Sequence, residues 1–391
     1  MSIVKYSALT LFNWLKNGED IAVLDVRSSE DFARQKVEAP RPFLQENISY
    51  YDFLEIEEAC VRRVREFAGN RPIRILCVLG RAARYVSEIL EKNGFTDIQY
   101  LDGGINAWGT FLIPVLLNPG KEYEIYQFIR PGKASCSYGL VKDGEMQLFD
   151  PSHNTKFYLD FAAEKNVKIS RTFETHLQAD YIAGSRALME QAGAEFLANE
   201  ADFADAQFQY TPLKNGADYG PEGLPVEIHF TPGHTPGSTS YLVDNQWLIS
   251  GDTVFIQSVG RPDLGGEVET WSDMLFDTLA HVRKIADNVN ILPGHFMSWE
   301  EATSINGDLA FTAPFSQVLE FNRAIYSIDN KKEFLAFIKA NMRQQPEEYA
   351  TIRQINAGLK SISPEEEEIL DLGKNQCAAS AKAAQKTAEE S

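Results

Sequence analysis

IRILCVLGRAAR, residues 73–84, reads as an apolar strand that ends on a cysteine and turns through Gly80 into a helix. IRILCV (73–78) is nearly continuous in apolar residues, the pattern of a strand buried on both faces of a parallel sheet. Upstream, IAVLDV (21–26) has the same character, and downstream IQYL (98–101) repeats it. Helical patterns fill the intervals over 52–67 and 82–93, with Gly94 closing the second. Ser7 is placed to cap a helix through Leu15, with Gly18 beyond its end. This β-α-β-α-β rhythm predicts an α/β domain whose parallel sheet is covered by helices.

The rhythm changes after Trp108. FLIPVLLNPGKEYE (111–124) carries two prolines and a glycine, and its later part, 116–124, is expected to be a linker. From Ile125 short strands arrive in pairs. SYGLVK and MQLFD flank Asp143-Gly144-Glu145, and YLVD and WLISGD flank a turn centred on Asn245. Helices fit 154–164, 184–192 and 268–285. Hairpins interleaved with helices predict two packed sheets with helices outside, over 125–310. Residues 311–372 read as a mostly helical extension, and the small, polar, Ala-rich tail 373–391 as disordered.

With 37 Lys+Arg against 56 Asp+Glu, the 391-residue chain has a net charge of −19. Phosphate-rich partners would be repelled, so neither nucleic acid nor an anionic membrane is expected. No apolar run approaches the roughly 18–20 residues of a membrane span. The first twenty residues lack the basic and apolar regions of a secretory signal. Cys60, Cys77, Cys136 and Cys377 are scattered, which suits reduced thiols and a cytoplasmic location. Homo-oligomer formation is left open.

Cys77 stands at a strand end just before a helix. A loop there can aim backbone N–H groups at the sulfur, and the helix N-terminus with Arg81 and Arg84 would stabilise a thiolate, a persulfide or another anion. A small buried hydrophobe fits the same position. IAVLDVRSSEDF, CVLGRAAR and YLDGGINAW together resemble a rhodanese (sulfurtransferase) domain over 1–115. The resemblance implies that Cys77 is the catalytic cysteine, with Arg81 a binding residue. It also has departures: Ala82 stands where the family loop has arginine, and Lys36 lies near the place of an entry histidine.

Six histidines are present. His153, His229 and His281 lack companion ligands and read as structural or surface residues. His176 in FETHLQADYIAGS, His234 in FTPGHTPGSTS and His295 in NILPGHF fall at strand ends or turns, and Asp252 follows a strand in WLISGDTVF. Ligands delivered by loops from different strands are how an open catalytic metal site is built. QLFDP, ETHLQADYIAGS, TPGHTPGS, SGDTVF, VGRPDL and LPGH resemble, in order and spacing, the metallo-β-lactamase superfamily with its αββα sandwich, and within it the persulfide dioxygenases. The superfamily signature His-x-His-x-Asp-His reads here His176-x-Gln178-x-Asp180-Tyr181.

The resemblance implies a metal set of His176, His234 and Asp252, two imidazoles and a carboxylate, as in the facial triad of non-haem Fe(II) oxygenases. Gln178 and Tyr181 replace histidines of a dinuclear zinc site, and Asp180 and His295 remain as supporting or second-metal residues. Arg261 with Asp263 matches a family pair in which the arginine meets a substrate carboxylate or its own aspartate. Asp150 is expected to brace the metal loops. The implied function is persulfide dioxygenase: oxidation of glutathione persulfide or a related small persulfide to sulfite with O₂, at one Fe(II) per chain, beside a sulfur-carrying rhodanese domain. The alternatives are a zinc thioester hydrolase of the glyoxalase II type and a catalytically degenerate persulfide-binding protein.

Overall fold

The computed structural model describes residues 4–286, 288–342, 344–373 and 377–379. They divide into two compact units, one of 4–113 with 130–133 and 372–373, the other made of the remainder.

The first unit is a five-stranded, all-parallel sheet in the order Val4–Tyr6, Ile98–Leu101, Ile73–Leu76, Ala22–Asp25, Leu44–Asn47. Ala22–Asp25 and Ile73–Leu76 are buried at every position, as continuous apolar runs require. Ser7 caps the helix Ala8–Asn17 by accepting from the Thr10 N–H, and Gly18 ends it in the left-handed region. The region expected as one helix over 52–67 is two, Tyr50–Glu55 and Glu57–Ala68, joined at Ile56.

The second unit packs a seven-stranded sheet against a five-stranded one. The first runs Thr211–Pro212, Glu195–Ala198, Lys168–Phe173, Glu145–Phe149, Ser135–Lys142, Glu124–Arg130, Ile113–Leu116. The second runs Val226–Phe230, Thr239–Val243, Trp247–Gly251, Asn290–Pro293, Ala313–Pro314. Phe149 and Phe173 stack at 4.8 Å from one sheet, and Tyr241 of the other meets them at 5.1 and 5.4 Å. Asp143 (φ 50°) with Gly144 (φ 82°), and Asp244 (φ 52°) with Asn245 (φ 50°), are left-handed pairs that close the two expected hairpins.

Two expectations change. The stretch read as a linker is anchored: the strand Ile113–Leu116 runs into it, Leu117 N–H donates to the Ile125 carbonyl, and the Tyr123 hydroxyl donates to Asp244 at 2.8 Å. Prolines ended the sequence pattern there because an edge strand tolerates missing N–H donors. The tail is also not wholly disordered. Ala378–Ala379 pairs antiparallel with Val259–Gly260, and Cys377 is buried among Ala179, Phe255, Trp271 and Tyr349. Small residues permit that close pairing. Residues 374–376 and 380–391 of the tail lie outside the described residues. In the extension, Ala313–Pro314 joins the second sheet before the helices Phe315–Phe321, Arg323–Tyr326, Lys331–Asn341, Glu348–Asn356 and Pro364–Leu370.

Candidate metal centre

Strand ends set the positions. His176 follows Lys168–Phe173, His234 sits in the turn after Val226–Phe230, Asp252 follows Trp247–Gly251, and His295 follows Asn290–Pro293. The His234 turn is tight because Gly233 has φ +144° and any Cβ there would lie 2.4 Å from the Leu275 backbone. His176, His234 and Asp252 bring one ligand atom each to within 4.8 Å of one another, all buried.

Hydrogen bonds select which atoms face the shared point. His234 Nδ1 lies 2.9 Å from the Arg261 carbonyl, which can only accept, so Nδ1 carries the proton and Nε2 a free lone pair. Asp150 takes the Thr175 N–H at 2.7 Å and the Thr175 hydroxyl at 2.8 Å, and that oxygen in turn receives His176 Nδ1–H at 2.8 Å. Asp150 therefore braces the loop as expected. Burial, then the neighbouring His234, pushes His176 down to about 3, which keeps the ring neutral and ligand-ready. His234 is also lowered by burial. Burial alone would raise Asp252, but the imidazoles of His295, His176 and His234 hold it below the usual carboxylate range.

His176 Nε2, His234 Nε2 and Asp252 Oδ2 are buried and have no hydrogen-bond partner. Interiors do not leave such atoms unpaired without cause. Three convergent orphan donors of this chemistry fit a bound divalent metal.

His295 is differently placed. Its Nδ1 lies 2.7 Å from Asp252 Oδ1 and its Nε2 3.0 Å from Asp180 Oδ2. Against the pull of burial, these two carboxylates raise it to about 10. The Nδ1 hydrogen bond lets His295 orient Asp252, while Nε2 meets Asp180 as an ion-pair contact only. Tyr181 is buried, and its hydroxyl donates to the Asp150 carbonyl at 3.4 Å. Gln178 is buried with Oε1 unpartnered, and lines a cavity on the metal loop.

Arg261 closes its fork on Asp263 at 2.6 and 2.7 Å, the internal clamp of the two readings. His153 lies 3.4 Å from Asp371 and His229 3.5 Å from Glu227, away from the triad. Three residues that motif reading passed over hold the loops. Asn356 donates to the Gln178 and Tyr181 carbonyls and accepts from Ala183 N–H. Asp371 accepts from Ile182 N–H, while Asp202 receives Leu177 N–H, Gly237 N–H and the Thr235 hydroxyl. Their lack of motif and the sequence separation of 189 between Ile182 and Asp371 hid them.

In the first unit, Cys77 is buried at the end of Ile73–Leu76, and Gly80 N–H donates to its sulfur at 3.1 Å. The Arg81 side chain is exposed at the first turn of Arg81–Lys92. Asp25, at the end of the neighbouring strand Ala22–Asp25, and Arg27 form a buried pair at 2.6 Å.

Residues 9–110 match the rhodanese-like domain, and residues 131–295 match the metallo-beta-lactamase superfamily. The chain is thus a rhodanese-like domain fused to a metallo-β-lactamase domain. Among relatives, it is 29% identical over 174 residues to hydroxyacylglutathione hydrolase of Anaeromyxobacter dehalogenans (strain 2CP-C). The match spans 44% of this chain and 65% of that hydrolase, just under two thirds of its length. A metallo-beta-lactamase from Staphylococcus aureus subsp. aureus COL superposes with TM-score 0.55 at 25% identity, covering 62% of this chain and 75% of that one. ETHE1 from Myxococcus xanthus gives TM-score 0.50 at 22% identity over 60% and 98%, a likeness of fold. Fold, relatives and the His/His/Asp group together point to a metalloenzyme.

Proposed function

We propose that the chain is a persulfide dioxygenase, oxidising glutathione persulfide or a related small persulfide to sulfite with O₂ at one iron per chain. The observation that carries the reading is the group of ligand atoms that His176, His234 and Asp252 bring to within 4.8 Å of one another, with Gln178 and Tyr181 standing at two histidine positions of the signature. Iron held by two imidazoles and a carboxylate would supply redox chemistry and open coordination places for sulfur and O₂.

The protein's own part is positioning. The Asp150–Thr175 chain fixes the His176 tautomer, the Arg261 carbonyl fixes that of His234, and His295 orients Asp252. Burial of all three ligands excludes bulk water. Cys77 would carry a sulfane sulfur, with Gly80 N–H donating to the anionic sulfur. Covalent fusion raises the effective concentration of one domain's product near the other.

A second reading, a zinc thioester hydrolase of the glyoxalase II type, is favoured by the retained Asp180 and His295 and by the hydroxyacylglutathione hydrolase relative. The test is O₂ uptake and sulfite release from glutathione persulfide on iron-loaded protein, with metal analysis. Uptake at near one iron per chain is expected. Zinc with turnover of S-lactoylglutathione and no O₂ uptake would establish the hydrolase instead. Absence of any bound metal would leave a binding protein.

A further inference from the structure

Two of the histidines that stand alone in the sequence meet in the second unit, on residues separate from the triad. On the edge strand Val226–Phe230, Val226 and Ile228 point one way and are fully buried, so Glu227 and His229 share the other face. The helix Val268–Ile285 runs beside this strand end. Its Thr278 hydroxyl donates to the Pro232 carbonyl at 2.6 Å. One turn further along, the exposed His281 brings its ring to 5.9 Å from that of His229, with 50° between the planes.

His229 is 8% exposed, and its Nε2 is buried without a hydrogen-bond partner. The same nitrogen lies 3.5 Å from Glu227 Oε1. Burial pushes the His229 pKa below its ordinary value against the pull of Glu227, which favours a neutral ring with a lone pair to give. Two imidazoles on one tetrahedral zinc, at Zn–N bonds of about 2.0–2.1 Å, sit about 5 Å apart centre to centre. A rotation of the exposed His281 side chain by roughly 1 Å therefore closes the gap from 5.9 Å. Glu227, half-buried, supplies an oxygen, and the fourth place is left to water. One carboxylate beside two imidazoles does not suit Ca²⁺ or Mg²⁺, which need many oxygens.

We propose that Glu227, His229 and His281 form a second metal site, for Zn²⁺ or a similar divalent transition metal, that ties the strand Val226–Phe230 to the helix Val268–Ile285. These two elements hold the His234 turn between them: the turn follows the strand, Pro232 accepts from Thr278, and Gly233 lies against the Leu275 backbone. An ion bridging His229 and His281 clamps that turn from outside. The site is independent of which metal the triad holds and which reaction it performs.

The test is equilibrium dialysis of the purified full chain against a range of free Zn²⁺, beside His281→Ala. The wild type is expected to take up one more zinc per chain than the variant, and excess Mg²⁺ should not displace it. Zinc at that level should raise the melting temperature of the wild type more than that of His281→Ala. Glu227→Gln, which keeps the size and removes the charge, should weaken the extra zinc by at least about tenfold. Circular dichroism should match in all three proteins. If Glu227→Gln fails to fold, His281→Ala, at an exposed helix position, decides alone. Equal zinc uptake by the wild type and His281→Ala would overturn the proposal, any second zinc then belonging to Asp180 and His295. Displacement of the extra zinc by Mg²⁺ would overturn it as well.

Discussion

Asp252 shows how much one residue's surroundings decide. One of its oxygens accepts from His295 Nδ1 at 2.7 Å and the other is left for the point shared with His176 and His234. Removing a ligand should therefore remove the metal. His234→Ala should lower metal content to near zero, while circular dichroism and cooperative melting persist, because the buried ring sits in a turn facing the other two ligands, outside the strands and helices; elemental analysis checks it. Gln178 and Tyr181 test the converse. Gln178→His with Tyr181→His restores two imidazoles to the signature, and the affinity order favours Zn²⁺ over Fe²⁺. Metal content should rise from near one to near two per chain, with zinc replacing iron and O₂ uptake falling. A double variant that still holds one iron with unchanged uptake would make both residues bystanders.

Among the elements, the helix Gly104–Thr110 explains LDGGINAW. Gly104 has φ +59°, and a Cβ there would lie 2.3 Å from the carbonyl oxygens of both Cys77 and Val78. The helix start is pressed onto the cysteine loop, and Ile105 N–H donates to the Cys77 carbonyl at 2.8 Å. Gly104→Ala should cost about 2–4 kcal/mol through left-handed strain and overpacking. Thermal melting and faster alkylation of Cys77 would report it. The strand Ala378–Ala379 makes a second case. Ending the chain at residue 373 would strip the strand from Val259–Gly260 and the buried Cys377 from its cluster, at a cost of about 1–3 kcal/mol. The readout is a lower melting temperature at fixed metal content.

For the molecule as a whole, a net charge of −19 opposes polyanionic partners, and no helix among the described residues is long and apolar enough to cross a membrane. Under the proposed function the two units would carry two chemistries, and these should separate. Cys77→Ser should abolish thiosulfate-dependent sulfur transfer and leave direct oxidation of supplied glutathione persulfide near wild type, because the metal triad contains no cysteine. Sulfurtransferase and O₂-uptake assays on one preparation measure both. Loss of oxidation with free persulfide would mean that Cys77 belongs to a single composite site.

Much of this was legible from residue order. Continuous apolar runs, Ser7 and Gly18 at a helix's ends, and the Asp143-Gly144 and Asn245 turns act over a few neighbours, so local pattern reveals them. The strand-end positions of His176, His234 and Asp252 were legible too, since loops carry them in recognisable motifs. Long-range pairing was not. Asn356 and Asp371 hold the metal loop across more than 170 residues through backbone groups that leave no motif, as the separations of 173 and 189 show. Nor could order say that His295 would be shared by Asp180 and Asp252, or that residues 378–379, whose composition suggests disorder, would find an open strand edge. Those outcomes depend on which groups burial brings together without water, and that is settled only when the sheets pack.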